Sequence, residues 1–153
     1  MIEIREVKKK DLELLANIYS VIYLNIPAKE DMSYEDSFSY LEYFYKHQPD
    51  LFLCAIEDNI PVGAVMSILR PCANGLYLSD TEVFVIEDYR NKNLGLKLLS
   101  KQFEIADAKY NVNYSKTLCY KTDNNWYEKA GYSIQNDIVV LKCNIQKFLE
   151  NNV

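Results

Sequence analysis

Three consecutive segments between Leu51 and Ile86 are short, rich in apolar residues and separated by turns, and this run constrains the fold more than any other part of the chain. Turn-forming pairs separate the segments: Asp58-Asn59 follows LFLCAIE, and Asn74-Gly75 follows IPVGAVMSILR. Short apolar-rich segments separated by such turns are typical of half-buried antiparallel strands. We therefore predict three successive strands at the centre of a sheet.

Two helices are predicted before this run, after a first strand over residues 2–7. Asp11 is placed as the N-cap of the first helix, and Pro27 marks its end. The second helix begins at Ser33, which is placed to form a capping box with Asp36. Its aromatic residues recur at helical spacing, as expected of an amphipathic helix that packs on a core.

A third helix is predicted after the run, with apolar residues at helical spacing from Leu94 to Ala106. The remaining predicted elements are a strand near Ser115 to Tyr120, a short helix around Asn124 to Lys129, and a last hairpin of Tyr132 to Ile134 with Ile138 to Leu141. This order predicts an α/β architecture with a mixed, mostly antiparallel sheet. Because no repeat or linker composition divides the chain, residues 1–153 are expected to form a single domain.

The composition is that of an ordinary globular domain, with 49% apolar and 25% charged residues. A net charge of -5 opposes nucleic-acid binding, which depends on the release of counterions by cationic side chains. The longest apolar run, Leu51 to Ile56, is far shorter than the roughly 18 residues of a membrane span. The four cysteines match no zinc or disulfide spacing, and the N-terminus resembles no secretory signal. We therefore expect a cytoplasmic protein without metal, nucleic-acid or membrane partners.

The loop between the third of these strands and the third helix has the features of a phosphate site. The first turn of a helix exposes unpaired N–H groups and carries partial positive charge. Gly95 removes the Cβ that would hold a ligand away from the backbone. Arg90, Lys92 and Lys97 add positive charge to a chain that is otherwise acidic. These residues favour the binding of a diphosphate.

The segment EVFVIEDYRNKNLGLKLL, Glu82 to Leu99, resembles the acetyl-CoA pyrophosphate site of the GNAT N-acetyltransferases. Val85, Arg90 and Gly95 match the family pattern, in which a glycine usually stands at the position of Asn93. Asparagine tolerates left-handed backbone better than other non-glycine residues and can also cap a helix, so it suits this position.

A second motif, WYEKAGY from Trp126 to Tyr132, resembles the Tyr-Glu-Lys-x-Gly-Phe box of the same family. The resemblance implies a GNAT-type twisted sheet flanked by helices, and direct transfer of an acetyl group from acetyl-CoA to a primary amine in a ternary complex. It implies that the backbone of Phe84 and Val85 polarises the acetyl carbonyl. The residues implied to bind acetyl-CoA are Phe84, Val85, Arg90, Asn91, Lys92, Asn93, Leu94, Gly95, Leu96, Lys97 and Asn124.

The resemblance also implies catalytic roles. Tyr127 matches the family tyrosine that protonates the departing CoA thiolate, although core packing would explain the same residue. Glu82 is the candidate general base, and Asp80 is predicted to share its face of the strand. Either carboxylate could instead hold a cationic substrate or simply be an exposed surface group. His47, the only histidine, is interpreted as a surface residue.

The acceptor of the acetyl group is not defined by these motifs. The aromatic and acidic stretch Tyr34 to Tyr45 suits an amine-bearing cation, but packing of a helix on the core explains it better. A small polyamine, an aminoglycoside-like amine and a peptide N-terminus remain open as acceptors, and a homodimer remains open as an assembly. The alternative function is a sensor or interaction domain of the same fold that binds CoA without catalysis.

Overall fold

The structure is a computed structural model that describes residues 1–25 and 32–152. The chain divides into two compact units, the first comprising Met1–Tyr120 and the second beginning at Lys121. Among the described residues, no helix is long and apolar enough to cross a membrane. The single domain predicted over residues 1–153 stays a prediction.

The first unit contains five strands and three helices among its described residues. In chain order these elements are β1 (Glu3–Glu6), α1 (Leu12–Leu24), α2 (Tyr34–His47), β2 (Leu53–Glu57), β3 (Ile60–Cys72), β4 (Gly75–Val85), α3 (Leu94–Tyr110) and β5 (Tyr114–Lys116). Short 3-10 turns precede α1, β2 and the loop that leads to α3. The second unit contains the helices α4 (Asn124–Lys129) and α5 (Ile145–Asn152).

The five strands form one sheet in the order β1-β2-β3-β4-β5. Neighbouring strands from β1 to β4 pair antiparallel, and β4 pairs parallel with β5. The predicted mixed and mostly antiparallel sheet is therefore confirmed. Its central hairpins form where the two predicted turns fall, and Asp58, Asn59 and Gly75 adopt the positive φ angles that tight turns require.

The two faces of the sheet carry different helices. One face packs against α1 and α2, where Tyr19, Leu41 and Phe44 contact strand residues such as Cys54 and Met66. Helix α3 contacts β2, β3 and β4. Because successive side chains of a strand point to opposite faces, we assign to the α3 side the buried strand residues that alternate with these, namely Leu53, Ala55 and Val65.

The predicted start of α2 is confirmed in detail. The Asp36 N–H donates to Ser33 Oγ over 3.0 Å, and the Ser33 N–H donates to Asp36 Oδ2 over 3.3 Å, so the two residues form a capping box. Helix α1 ends at Leu24. The end predicted at Pro27 lies outside the described residues.

Asp11 has a different role from the N-cap predicted for it. Its side chain caps no N–H group of α1; instead Asp11 accepts hydrogen bonds from Arg5 at 2.7 and 3.2 Å and from the Lys8 N–H at 2.8 Å. Burial by itself raises the pKa of Asp11, but the bonds from Arg5 and Lys8 outweigh it and the pKa lies below its ordinary value. The carboxylate therefore ties β1 to the start of α1.

Replacing Asp11 with alanine is expected to lower the free energy of unfolding by about 3 kcal/mol, because Arg5 loses its buried partner. The lowered pKa means that this contribution is present above about pH 4 and is lost as the pH falls further, so wild type and variant should converge in acid. Urea unfolding at neutral and acid pH measures both effects. Glu13→Ala, which removes an exposed carboxylate of α1, is the control; an equal loss in the two variants would contradict the prediction.

The last hairpin predicted from the sequence is wrong for the described residues. Tyr132 to Leu141 contains no strand, and only an i to i+3 turn between Gln135 and Ile138 interrupts the irregular backbone. Short apolar segments such as these are compatible with strands, but a strand also needs a partner in a ladder. Helix α5 was missed, although Ile145, Phe148 and Leu149 have helical spacing and Asn144 Oδ1 accepts from the Lys147 N–H over 3.0 Å as a helix cap does.

Candidate active site

Strands β4 and β5 separate within the first unit. Their parallel pairing runs from Tyr77 with Tyr114 to Ser79 with Lys116 and then stops. At this level the register between β3 and β4 shifts, and Asp80 takes a φ of 56°, so that β4 bulges. From Glu82 to Val85, β3 is the strand with which β4 pairs in the described part of the chain. The last strand of the sheet was predicted to extend to Tyr120, but it ends at Lys116, where its pairing with β4 stops.

The pairing register of β3 with β4 decides which N–H groups of β4 point toward β3 and which point away from it. The Ile86 N–H donates to the Val62 carbonyl over 3.0 Å, and hydrogen-bonded pairs recur at every second residue of an antiparallel ladder. The N–H of Phe84 is therefore directed at β3, whereas the N–H groups of Val83 and Val85 are directed away from it. Val83 was not among the residues expected to meet the cofactor, because a sequence carries no information on ladder phase.

The loop before α3 adopts the backbone expected of a phosphate site. Asn91 and Asn93 have φ angles of 60° and 59°, in the left-handed region, so Asn93 accepts the conformation that a glycine would otherwise supply. Asn93 does not cap α3 with its side chain. The first helical hydrogen bond runs from the Lys97 N–H to the Asn93 carbonyl over 3.0 Å. The N–H groups of residues 94–96 therefore precede the first bond of the helix.

The charged residues of this loop are exposed, whereas Leu94 is buried in the core. Arg90 Nε donates to the Val85 carbonyl over 3.1 Å, which holds the guanidinium beside the end of β4. Lys92 Nζ lies 5.1 Å from the centroid of the Tyr89 ring. Three of the predicted cofactor ligands, Arg90, Asn91 and Lys92, therefore lie at the end of the strand that separates from β5.

Tyr89 anchors the loop before α3, a role that was not predicted from the sequence. Its hydroxyl donates to the Glu57 carboxylate at the β2–β3 turn. This hydrogen bond, with some help from desolvation, raises the pKa of Tyr89, so the phenol stays protonated and remains a donor. No signal in the sequence joins residues 57 and 89, because only the pairing of β3 with β4 brings the two turns together.

Glu82 lies on the α1 and α2 side of the sheet, where tyrosines surround its carboxylate. Tyr19 Oη donates to Glu82 Oε2 over 2.6 Å, and Tyr40 Oη donates to Glu82 Oε1 over 2.9 Å. The Tyr19 and Tyr23 hydroxyls are 2.8 Å apart. Glu82 is therefore a half-buried and hydrogen-bonded carboxylate, not an exposed surface group.

The tyrosines are held as hydrogen-bond donors. Burial and then the neighbouring charge of Glu82 raise the pKa of both Tyr19 and Tyr40. Their rings pack with centroids 5.7 Å apart, and Tyr19 meets Phe84 edge to face at 5.2 Å. The spacing of Tyr19 and Tyr23 on one face of α1 was the available signal, but nothing in the sequence relates that face to Glu82.

The other candidate bases lie in different surroundings. Asp80 is the bulge residue; its carboxylate is 3.4 Å from Arg70 and also accepts from Ser79 Oγ. The bulge interrupts the alternation from which a face shared with Glu82 was predicted. His47 is exposed at the end of α2, where Nδ1 lies 2.8 Å from the Tyr43 carbonyl, and the surface position predicted for it is confirmed.

Tyr127 and Asn124 belong to the second unit. Both lie on α4, and Tyr127 contacts Trp126 and Tyr132 edge to face, with ring centroids 5.0 and 5.4 Å apart. The Tyr132 N–H donates to the Tyr127 carbonyl over 3.0 Å, and Gly131 has a φ of 100°. The WYEKAGY motif thus encodes a short helix that ends in a left-handed glycine.

The fold and the loop define an α/β domain of the acetyltransferase type, and the sequence comparison agrees. The model of the GNAT acetyltransferase domain matches residues 48–134. The chain therefore belongs to the GNAT acetyltransferases. No curated protein sequence matches it significantly.

Solved structures of low sequence identity share the fold. A possible acetyltransferase from Clostridium difficile 630 is 16% identical with a TM-score of 0.75, over 94% of this chain and 99% of that one. A predicted acetyltransferase from Clostridium acetobutylicum, solved with acetyl-CoA, is 18% identical with a TM-score of 0.70, over 96% and 98%. Glucosamine-6-phosphate N-acetyltransferase from Arabidopsis thaliana is 16% identical with a TM-score of 0.65, over 95% and 99%.

Proposed function

We propose that this protein is an N-acetyltransferase that moves the acetyl group of acetyl-CoA to a primary amine by direct attack in a ternary complex, without a metal. The observation that carries the proposal is the position of Glu82. Two phenols from α1 and α2 hold the carboxylate of Glu82, which lies on β4. The residues of β4 that follow Glu82 are not paired with β5, and they lead to the N-terminus of α3. A carboxylate, an open strand edge and a helix N-terminus thus follow one another along one segment.

The residues around the α3 N-terminus fit the diphosphate of acetyl-CoA. The N–H groups of residues 94–96 and the partial positive charge of the helix favour an anion, and Gly95 lies in this first turn. Arg90, Lys92 and Lys97 supply exposed cations on either side of it. We assign the cofactor contacts of this turn to its backbone N–H groups. This holds for Asn91, Asn93 and Leu96, and it is required for Leu94, because the side chain of Leu94 is buried.

The chemistry that acetyl-CoA supplies when bound is an activated acetyl thioester. On β4, the N–H groups of Val83 and Val85 are directed away from β3, so they are placed to donate to an oxygen on which negative charge develops. The backbone of Phe84 was expected to share this role, but the ladder phase directs its N–H at β3. Tyr127 is assigned the protonation of the departing thiolate on the family resemblance.

Glu82 is assigned the removal of a proton from the acceptor ammonium, directly or through water, so that a neutral amine attacks. Its carboxylate oxygens accept hydrogen bonds from the phenols of Tyr19 and Tyr40, which hold the carboxylate in place. The surrounding aromatic rings favour a cation. An alkylamine such as a polyamine, an amino sugar and a peptide N-terminus all present such a group, and one of the similar structures is an enzyme named for an amino sugar.

Calorimetric titration with acetyl-CoA tests the cofactor site. We expect saturable binding by the unaltered protein and at least about a tenfold loss of affinity in Arg90→Glu, since a carboxylate replaces a cation beside the diphosphate. Lys46→Glu makes the same change of charge on the exposed face of α2 and is the control. Absence of binding by the unaltered protein would reject the assignment, and equal losses in the two variants would show a general effect of charge.

A screen of amines distinguishes an enzyme from a protein that binds CoA without catalysis. The protein is incubated with labelled acetyl-CoA and a panel of polyamines, aminoglycosides, amino sugars and peptides, and acetylated products are separated. Product formation from one class identifies the acceptor. Saturable binding of acetyl-CoA with no product from any class would favour the non-catalytic alternative.

A further inference from the structure

Four polar side chains form a continuous and largely buried network inside the first unit. This network, called here the buried polar network, consists of Ser115 on β5, Thr81 on β4, Ser67 on β3 and Gln102 on α3. Ser67, Thr81 and Gln102 are each fully buried. The oxygen atoms of Ser115 and Thr81 are 2.8 Å apart, those of Thr81 and Ser67 are 2.8 Å apart, and those of Ser67 and Gln102 are 3.0 Å apart.

The amide of Gln102 fixes the direction of the bonds that join β4, β3 and α3. Gln102 Nε2 donates to the Leu51 carbonyl over 2.6 Å, so its Oε1 is the atom that accepts from Ser67. Ser67 has a single proton, which it gives to Gln102, so Ser67 accepts from Thr81. These two bonds point the same way, from β4 through β3 to α3, and the loss of the Ser67 or the Thr81 hydroxyl removes a hydrogen bond from a fully buried partner.

The network crosses the sheet at the level where β4 leaves β5. Thr81 follows the bulge residue Asp80, and Ser67 is the β3 residue at the register shift opposite the bulge. Thr117 Oγ1 donates to the Thr81 carbonyl over 2.6 Å, just beyond the last ladder pair of β4 with β5. The hydroxyls of Ser115 and Thr117 therefore both contact Thr81 at the point where the two strands begin to separate.

The same network joins β4 to α3. Residues 83–85 of β4 continue from Thr81, and Gln102 lies two turns beyond the N-terminus of the helix. Apolar contacts allow a helix to slide slightly on a sheet. Hydrogen bonds have a preferred length and direction, so the buried bonds from Thr81 to Ser67 and from Ser67 to Gln102 restrict such sliding. The network thus sets the distance between the β4 backbone and the helix N-terminus.

We propose that Thr81, Ser67 and Gln102 are positioning residues for acetyl-CoA, which hold the strand that meets the thioester and the helix that meets the diphosphate at the spacing of one ligand. This inference rests on the proposed function. A ligand that spans both elements depends on the spacing, and a ligand that touches the helix alone does not. This difference separates positioning from simple stabilisation of the core.

The test compares Thr81→Val, which keeps the shape of the side chain and removes the hydroxyl, with Thr81→Ser, which keeps the hydroxyl. Ser37→Ala is the matched control, because Ser37 Oγ is fully buried on α2 and has no hydrogen-bond partner among the described residues. Affinities for acetyl-CoA and for adenosine 3′-phosphate 5′-diphosphate, the part of the cofactor that ends at the diphosphate, are measured by calorimetry on protein shown to be folded by circular dichroism.

We expect Thr81→Val to bind acetyl-CoA about tenfold more weakly, and Thr81→Ser and Ser37→Ala to bind it within about twofold of wild type. Binding of the diphosphate fragment should be unchanged in all three. Wild-type affinity for acetyl-CoA in folded Thr81→Val overturns the inference, as does an equal loss for both ligands. If Thr81→Val does not fold, Ser115→Ala at the half-buried end of the network replaces it, with a loss of about threefold expected and wild-type affinity again overturning the inference. Failure of the unaltered protein to bind acetyl-CoA rejects the proposed function as well.

Discussion

Replacing Glu82 with glutamine is expected to lower kcat/KM for amine acetylation about 100-fold, the scale of effect of removing a general base. Glutamine has nearly the same shape and keeps one oxygen for the Tyr19 or Tyr40 phenol, so the fold should be retained. It cannot accept the proton of an ammonium. Affinity for acetyl-CoA should stay within about twofold of wild type, because Arg90 and the α3 N-terminus are unaltered.

Asp80→Asn is the matched control for Glu82→Gln. It also removes one carboxylate from β4, but this carboxylate is more exposed and pairs with Arg70, and asparagine tolerates the positive φ of the bulge. Steady-state kinetics over a range of pH should show the large loss in Glu82→Gln alone. A loss confined to Asp80→Asn would transfer the role of base to Asp80, and small losses in both variants would contradict a carboxylate base on this strand.

Replacing Tyr127 with phenylalanine is expected to lower kcat about 100-fold with little change in the affinity for acetyl-CoA. The reason is that the phenol is assigned to the thiolate that forms as the thioester breaks, so its contribution arises after binding. The ring contacts of Tyr127 with Trp126 and Tyr132 do not require the hydroxyl. Calorimetry for binding and steady-state kinetics for turnover separate the two effects.

Tyr132→Phe is the control for Tyr127→Phe. It removes a phenol hydroxyl from the ring partner of Tyr127 and preserves their edge-to-face packing. A kcat within about twofold of wild type in Tyr127→Phe would contradict an acid role for this residue. A similar fall of kcat in both variants would indicate that the aromatic cluster matters as a structural unit.

Local patterns predicted most of the first unit. The three central strands, the capping box of Ser33 with Asp36, and the helix that begins after Asn93 all depend on residues close together in the sequence. Failures occurred where a distant partner decides the outcome. Asp11 pairs with Arg5 although it has the sequence features of a helix cap, and residues 138–141 form an apolar run like that of a buried strand but belong to no strand of the described residues.

The candidate site divides in the same way. The conformation of the loop before α3 was predictable, because its backbone, its charges and its place before a helix depend on a few neighbouring residues. Asn93 takes a left-handed backbone conformation, which asparagine tolerates better than other non-glycine residues. This agrees with its position, where the family pattern usually has a glycine. The surroundings of Glu82 were not predictable, since Tyr19 and Tyr40 approach it from helices 63 and 42 residues away along the chain.

The sequence by itself determined the order of strands and helices, the loop before α3 and the membership of the GNAT family, because periodicity and short motifs act through neighbouring residues. Only the tertiary structure decided which N–H groups of β4 face away from β3, which phenols bind Glu82, and how the buried polar network joins β5 to α3. These features depend on ladder phase, on a bulge at Asp80 and on packing between elements. Each arises when distant segments meet, so no local pattern encodes it.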